Sequence, residues 1–282
     1  MNLIYALGVE LASLPNPADL LELRSTRTAL FELWLLALAG GLLGAFVVLR
    51  RIAFFAHAAG TATFPGSVIA QVASFSPRVA ALGVALGYAG GVERAGRAGR
   101  DPGDAATGLL LVAALSGGVL LASDVFESSS SVDRLLFGTA IGLGNADLAF
   151  SAVAAALAAL GVLLLGRAWT AVAFDPDGAP ILGLPSERTD LALLALVAFA
   201  VVAALPAVGA LLVTSVFVVP AAIARLFAGS VRALTAIAIG IAALQGAVGL
   251  YVSLWLDVPP GPAVAVSGAC AYGLAALMRA GR

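Results

Sequence analysis

The sequence predicts an all-α fold, a polytopic membrane bundle of about eight or nine transmembrane helices. Hydrophobic residues fill 61% of the 282 positions and charged residues only 11%, whereas soluble domains carry roughly 25% charged residues. Uncharged runs long enough to cross a hydrocarbon core of ~30 Å recur along the chain, for example at 191–224. These runs are continuous and rich in Ala, Leu and Val, so they lack the alternation of a transmembrane barrel.

Nine apolar segments make up this predicted bundle. Residues 1–30 precede these segments and are expected to form a short helix or loop at the membrane surface. Residues 31–282 form the transmembrane domain. The sixth and seventh segments are separated only by "LPAVGA", so they could be one bent helix, a re-entrant turn or two spans. The segments are about 33–50, 54–72, 79–92, 106–123, 147–166, 190–206, 208–226, 231–254 and 261–278.

Arginine placement predicts the orientation of the bundle. When the loops are numbered alternately, one set holds eleven arginines and the other holds four. Cytoplasmic loops are the arginine-rich ones, so the N-terminus is expected outside and the C-terminus inside. The outer set also holds nine acids, which either attract cations or are simply solvated loop charges. These acids are Glu10, Asp19, Glu22, Glu32, Asp124, Glu127, Asp133, Asp147 and Asp257.

Single residues exclude several classes of function. The net charge of −1 gives no basic surface for nucleic acid. All fifteen basic residues are arginines, so the chain cannot form a lysine-containing P-loop and any ATP must be bound by another chain. His57 is the only histidine, and Ser67 does not share its helical face, which argues against a Ser–His hydrolase and any catalytic residue. We expect Cys270 to be a small buried residue, and Trp34, Trp169 and Trp255 to be interfacial anchors.

The segment that contains His57 is unusual for a membrane helix. His57 and Thr61 are spaced i, i+4 and therefore lie on one helical face. Pro65 removes a backbone donor, so we expect a kink there. An ionisable side chain at membrane depth usually faces the bundle interior or a water-filled path. His57 is therefore either hydrogen-bonded to a neighbouring carbonyl or in contact with a path or a metal ion.

The longest connection on the predicted inner side, 167–190, mixes apolar residues with charges. Such a mixture suits docking to a cytoplasmic partner, or a loop that rests on lipid headgroups. In the following apolar run Pro220 predicts a second kink, with Arg225 beyond it. Kinked and broken helices with small residues often line the path of a transporter.

Six stretches of the chain, from about residue 30 to the end, together resemble the permease subunits of metal-uptake ABC transporters, the zinc, manganese and iron family. The stretches occur in the order of that family. They are "GAFVVLRRIAFFAHAAGTATFPG", "DAATGLLLVAALSGGVLLAS", "VDRLLFGTAIGLGNADL", "FDPDGAPILGLP", "VGALLVTSVFVVPAAIARL" and "LDVPPGPAVAV".

This resemblance implies the metal-type ABC permease fold in a multi-pass protein of a bacterial inner or plasma membrane. It implies a homodimer or pseudo-dimer of permeases, cytoplasmic ATPase subunits that bind ATP, and an extracytoplasmic substrate-binding protein. Segment 167–189 would be the coupling loop that docks on the ATPase. The residues expected to carry this coupling are Phe174, Asp175, Gly183, Leu184 and Pro185.

The second helix departs from the family pattern. There the family usually reads Gly-Asp-Ala-Leu-Ser-His-Ala-x-x-Pro-Gly, and its Asp and His are thought to line the metal path. Alignment on Pro65 and Gly66 places that Asp at His57 and that His at Thr61. A neutral imidazole suits Zn²⁺, and two copies of His57 could face each other across a dimer axis. The expected cargo is therefore a divalent metal, zinc above manganese or iron, with no permanently bound cofactor.

Charges near the predicted outer mouth complete the expected path. Asp124, Glu127 and Asp133 would attract the cation there. Two rival functions stay open: an ABC permease for an iron chelate or similar ligand, and a secondary carrier or channel that needs no ATPase. Proton-driven carriers usually hold several intramembrane acids. We place none deep in these segments, which weighs against the carrier.

Overall fold

A computed structural model describes residues 23–98, 104–122, 138–139, 143–176, 178–183, 186–210 and 212–281. In chain order the described α-helices are α1 (Arg24–Leu49), α2 (Ala53–Thr61), α3 (Phe64–Ala73), α4 (Pro77–Ala98), α5 (Asp104–Ala122), α6 (Asn145–Phe174), α7 (Ser186–Val208), α8 (Val213–Phe217), α9 (Val219–Phe227), α10 (Val231–Leu256) and α11 (Pro260–Ala280). Six of these helices, α1, α5, α6, α7, α10 and α11, are long and apolar enough to cross a membrane.

Helix α1 lies at the centre of the bundle, where it packs against α6, α7, α8, α9 and α10. Leu36, Leu43 and Phe46 of α1 are fully or almost fully buried in the main apolar cluster. The outer helices instead expose large apolar side chains, such as Leu109 of α5 and Leu163 of α6. Apolar exposure on this scale is unfavourable in water but suits a helix surrounded by lipid.

Two glycines of α1 allow the chain that follows α7 to pack directly on α1. A Cβ atom at Gly40 would lie 2.9 Å from the carbonyl oxygen of Val216, and one at Gly44 only 2.0 Å from that of Phe217. No side chain can occupy these distances, so backbone meets backbone. This close approach is typical of small residues at helix interfaces in membranes.

The sixth and seventh apolar segments are two separate elements. Helix α7 ends at Val208, and the chain turns at Gly209, whose φ of 86° lies in the left-handed region that glycine tolerates. Arg50, at the end of α1, contacts Asp190 near the start of α7, so α7 runs antiparallel to α1. Arg225, near the end of α9, contacts Val48 near the end of α1, so α8 and α9 run parallel to α1.

Several helix boundaries differ from those expected from hydropathy. Helix α1 begins at Arg24 rather than near 33, and α6 extends to Phe174 rather than 166. Polar residues occupy most of the added turns of α1, and Arg167 begins those of α6. Hydropathy marks the apolar stretch of a helix and not its hydrogen-bonded ends. The connection between α6 and α7 is therefore shorter than the predicted 167–189 loop. Residues 1–22, most of the expected N-terminal segment, lie outside the described residues.

Three side chains are buried or exposed contrary to expectation. Glu32, assigned to an outer loop, is 0% exposed inside α1, about 12 Å of helical rise from its first residue. Trp169, expected at the membrane interface, is also 0% exposed and packs against Phe46. Cys270, expected to be buried, is exposed on α11. Sequence shows how apolar each segment is, but not which face of each helix meets another helix.

Candidate functional site

His57 lies on α2 and is half-buried, with its Nδ1 atom 3.3 Å from the hydroxyl oxygen of Thr214 on α8. The two residues are 157 positions apart in the chain. Which of the two atoms donates the hydrogen depends on the tautomer of the imidazole. The contact therefore leaves the other ring nitrogen, Nε2, for a further hydrogen bond or a metal ion.

Thr61 shares the helical face of His57, but its hydroxyl bonds to backbone. It donates to the carbonyl oxygen of His57 at 3.4 Å, one turn earlier in α2. Back-bonding of this kind is common for threonine inside helices. The hydroxyl that reaches the imidazole is thus the one on Thr214, which the sequence did not single out.

Small residues bring α2 against the turn between α7 and α8. A Cβ atom at Gly60 would lie 3.2 Å from both the carbonyl oxygen of Ala210 and a methyl group of Val213. On the other side of α2, the ring of Phe55 stacks on that of Tyr88, with centroids 5.7 Å apart. These contacts hold α2 so that its His57 face reaches α8.

The two helical segments that carry His57 and Thr214 are both interrupted near the site. Helix α2 ends at Thr61 and α3 begins at Phe64, where Thr63 donates its hydroxyl to the carbonyl oxygen of Gly60 at 2.6 Å. Pro65 lies in the first turn of α3. Proline is favourable at such a position, because backbone N–H groups in the first turn have no partner within the helix and proline has no N–H.

The interruption between α8 and α9 is built in the same way. Helix α8 is only five residues long, and α9 begins at Val219 with Pro220 in its first turn. Gln245 of α10 supports this region with its side-chain amide, which donates to the carbonyl oxygens of Ser215 and Val264 at 3.0 Å each. In the sequence, a single glutamine within a long apolar segment was the signal that could have identified Gln245.

The described residues offer few metal ligands from one chain. Among them, no group of three or more His, Cys, Asp or Glu side chains is arranged to hold a metal ion. Near the site, the described side-chain atoms able to contact a cation include Nε2 of His57 and the hydroxyl oxygens of Thr214 and Thr61. One nitrogen and hydroxyl oxygens form a weak, incomplete shell for a divalent transition metal.

Of the acids expected on the outer side, the structure describes Asp147 but none of the three expected at the outer mouth. Asp124, Glu127 and Asp133 lie outside the described residues. Asp147, at the start of α6, forms an ion pair with Arg78 and accepts a hydrogen bond from the backbone N–H of Gly144 at 2.8 Å. Its carboxylate therefore stabilises the N-terminal end of α6, where a negative charge is favourable.

Glu32 contradicts the expectation that no acid lies deep in a segment. Its Oε1 atom accepts a hydrogen bond of 2.5 Å from the hydroxyl of Ser151 on α6, and its buried Oε2 atom has no hydrogen-bond partner among the residues that the structure describes. Through this hydrogen bond Glu32 connects α1 to α6. Among the described residues it is the one fully buried acid, whereas a proton-driven carrier typically has several acids inside the membrane.

The connection between α6 and α7 exposes apolar side chains. Phe174 is 70% exposed and Ile181 is 86% exposed. Between them Oδ1 of Asp175 accepts a hydrogen bond from the N–H of Gly178 at 2.9 Å, which stabilises the turn that leads to a short 3₁₀ helix, Ala179–Leu182.

The last described residue of this connection is Gly183. Gly183 has a φ of 74°, a conformation that side chains disfavour. Leu184 and Pro185 lie outside the described residues. The last residue of α6, Phe174, and Ile181 of the connection therefore expose two apolar side chains at the predicted cytoplasmic end. A surface of this kind suits a protein partner.

Similarity to known proteins extends over nearly the whole chain. The family described as "ABC 3 transport family" matches residues 22–279. The manganese transport system membrane protein MntC of Halalkalibacterium halodurans is 27% identical over 91% of this chain and 88% of its own length. The zinc transport system membrane protein TroC of Treponema pallidum is 32% identical over 77% of this chain and 76% of its own.

Solved structures show the same fold. PsaBC from Streptococcus pneumoniae in complex with Fab superimposes with a TM-score of 0.81 at 21% identity, covering 92% of this chain and 94% of that one. A putative metal-chelate type ABC transporter in an inward-facing conformation gives a TM-score of 0.65 at 17% identity, covering 88% of this chain. The second, more distant match has a clearly lower TM-score than the first.

Proposed function

The chain belongs to the ABC 3 transport family, and on this premise we propose that it is the permease subunit of an ATP-driven importer for a divalent transition metal. It is a multi-pass membrane protein with six long apolar helices among its described residues. Relatives that align along most of its length are named for manganese and for zinc transport. The chain is a protein of a bacterial cell membrane.

The contact between His57 and Thr214 is the observation that carries the proposed path. It joins two interrupted helical segments inside the bundle, α2–α3 and α8–α9. Interrupted helices that meet at a polar contact are typical of substrate paths in transporters. The few ligand atoms there favour transient binding, which an importer needs because a tightly held ion is not released.

Zinc is the cargo that the chemistry of this contact favours. Imidazole nitrogen is a common ligand of Zn²⁺, whereas Mn²⁺ prefers carboxylate and other oxygen ligands. Among the described residues, no group of three or more His, Cys, Asp or Glu side chains could supply the oxygen ligands of a Mn²⁺ site. In a homodimer, the second copy would supply a second His57 and thus a second nitrogen. Manganese is the alternative, because several relatives are named for it.

The energy for transport would come from other chains. Phe174 and Ile181 form the apolar surface on which a cytoplasmic ATPase subunit would dock. An extracytoplasmic binding protein would deliver the metal to the opposite face. ATP binding and hydrolysis would then switch the permease between outward- and inward-open states.

Reconstitution tests this proposal. The permease, its ATPase partner and its binding protein are placed in liposomes, and uptake of labelled zinc and labelled manganese is measured with and without ATP. We expect ATP-dependent uptake, faster for zinc. Uptake by the permease alone, down a metal gradient and without ATPase, would instead identify a channel or secondary carrier. Faster uptake of manganese would reject the assignment of zinc and leave the importer in place.

A further inference from the structure

The end of α1 is fixed to the start of α7 by a forked ion pair. The two guanidinium nitrogens of Arg50 donate to the two carboxylate oxygens of Asp190, at 2.8 and 2.9 Å. The side chains are 18% and 30% exposed, so water reaches them only partly. A two-bond fork fixes the relative orientation of its partners as well as their distance.

A second contact holds the adjacent residue of α7. Trp169 of α6 is fully buried, and its indole N–H donates to the carbonyl oxygen of Thr189 at 2.8 Å. Its ring packs edge to face with Phe46 of α1, with centroids 5.2 Å apart. Three helices therefore converge on one cluster, which we call the inner clasp: Phe46, Arg50, Trp169, Thr189 and Asp190.

The inner clasp lies at the base of the connection between α6 and α7. Trp169 comes five residues before Phe174, and Asp190 comes nine residues after Ile181. Both ends of the connection are thus held on α1, while its exposed apolar side chains lie between them. A force applied to those side chains by a docked protein would reach the last turn of α1.

That last turn leads directly into the helix of His57. Arg51 has a φ of 57°, and the N–H of Ile52 donates to the carbonyl oxygen of Val47 at 3.0 Å, so the chain turns in a fixed corner. Helix α2 then begins at Ala53. His57 follows four residues later, about 6 Å of helical rise.

The same turn is joined to the segment that carries Thr214. The guanidinium of Arg225, near the end of α9, donates to the carbonyl oxygen of Val48 at 3.3 Å. Helix α9 continues from α8, to which Thr214 belongs. The two residues of the candidate site are thus connected, through α2 and through α8–α9, to the turn that Asp190 holds.

We propose that the ion pair between Arg50 and Asp190 transmits movement of the α6–α7 connection to His57 and Thr214. Arg50 and Asp190 are positioning residues, which touch neither metal nor ATP and act through the corner between α1 and α2. This inference depends on the proposed function, since it assumes that an ATPase moves the connection. A packed contact with discrete arrangements can carry such coupling between distant sites.

The test uses the complete transporter in liposomes and measures three quantities: assembly with the ATPase, ATP hydrolysis, and metal taken up per ATP hydrolysed. The variants are Asp190→Asn, Arg50→Lys and the exchange Arg50→Asp with Asp190→Arg. Lysine keeps the charge but cannot form the fork. Arg232→Ala is the matched control, because Arg232 is exposed near the start of α10 at the same end of the bundle.

We expect Asp190→Asn and Arg50→Lys to assemble and hydrolyse ATP, while metal uptake per ATP falls about tenfold. The exchange should restore part of the loss, and the control should behave as the original protein. Unchanged uptake per ATP in both single variants would overturn the inference. If Asp190→Asn fails to assemble with the ATPase, metal uptake per ATP in Arg50→Lys tests the inference by itself, because lysine keeps the positive charge. A wild-type transporter without ATP-driven uptake would instead refute the proposed function.

Discussion

Nδ1 of His57 lies 3.3 Å from the hydroxyl oxygen of Thr214, and this contact joins α2 to the short helix α8. Neither partner is close to the other in sequence. Their contact depends on the turn after α7, which reverses the chain and places α8 beside α2. The sequence suggested a polar pair of His57 and Thr61 within one helix. In the structure, the side chain that contacts the imidazole is that of Thr214, on a different helix.

His57→Ala should lower metal uptake by at least about tenfold, because it removes the only imidazole of the chain. Assembly with the ATPase should be unchanged, since the proposed docking surface consists of Phe174 and Ile181, and His57 is not part of it. Uptake of labelled zinc into liposomes measures the effect, and copurification of the ATPase controls for folding. Undiminished zinc uptake would remove His57 from the path.

Thr214→Val should impair transport more than Thr61→Val. Thr214 contacts the imidazole, and loss of such a partner typically weakens metal binding roughly tenfold or more. Thr61 bonds to a backbone carbonyl oxygen, so its valine variant is the matched control. The measurement is the KM for metal, which should rise more in Thr214→Val than in Thr61→Val. Thr214→Ser keeps the hydroxyl and should have a KM close to that of the original protein. Equal KM values for the two valine variants would contradict the geometry.

Phe174→Asp should uncouple ATP hydrolysis from transport. The ring is 70% exposed at the proposed docking surface, and a carboxylate there would remain unpaired against an apolar partner. ATPase activity stimulated by binding protein and metal is the readout. Phe174→Leu keeps an apolar side chain and should behave nearly as the original protein. Normal stimulation in Phe174→Asp would place the docking surface elsewhere.

Glu32→Ala should destabilise the bundle by about 1–3 kcal/mol, because the buried hydroxyl of Ser151 then loses its acceptor. Glu32→Gln keeps an acceptor oxygen in a side chain of similar size, so it should cost less. Thermal unfolding of the purified permease in detergent compares the two variants. If ATP-driven uptake were abolished in a stable Glu32→Gln protein, the acid would have a role in transport beyond this contact.

Gly44→Ala should cost about 1–3 kcal/mol of stability and disturb the site, because the new methyl group meets the carbonyl oxygen of Phe217. Gly240→Ala on α10 is the matched control, since a Cβ atom there has nothing within 4 Å. Replacement of glycine by alanine in a helix is otherwise favourable. Thermal unfolding again gives the comparison, and equal stability of both variants would show that α1 and the α8 region can separate.

The sequence predicted some features of this fold well because they depend on composition alone. Long uncharged runs identify apolar helices wherever they occur, and the prolines at 65 and 220 were recognised without any tertiary information. In the structure both prolines lie in the first turn of a helix that follows an interruption. The chemistry of proline dictates that position locally.

Contacts between distant residues could not be predicted in the same way. Thr214, Gln245 and the ion pair of Arg50 with Asp190 all depend on which helices become neighbours. Glu32 was assigned to a loop because a charge commonly marks the end of an apolar segment. Its burial requires the hydroxyl of Ser151 on another helix.

The amino-acid sequence was enough to predict a helical membrane bundle with a polar residue, His57, in a segment that Pro65 was expected to kink, because hydropathy and proline act over a few residues. The break between α2 and α3, the contact of Thr214 with the imidazole and the attachment of the α6–α7 connection to the end of α1 emerged from the packing of the helices. Helices in lipid pack through small residues and a few polar contacts. Their neighbours are therefore chosen by the fit of whole helical faces, which no local pattern contains.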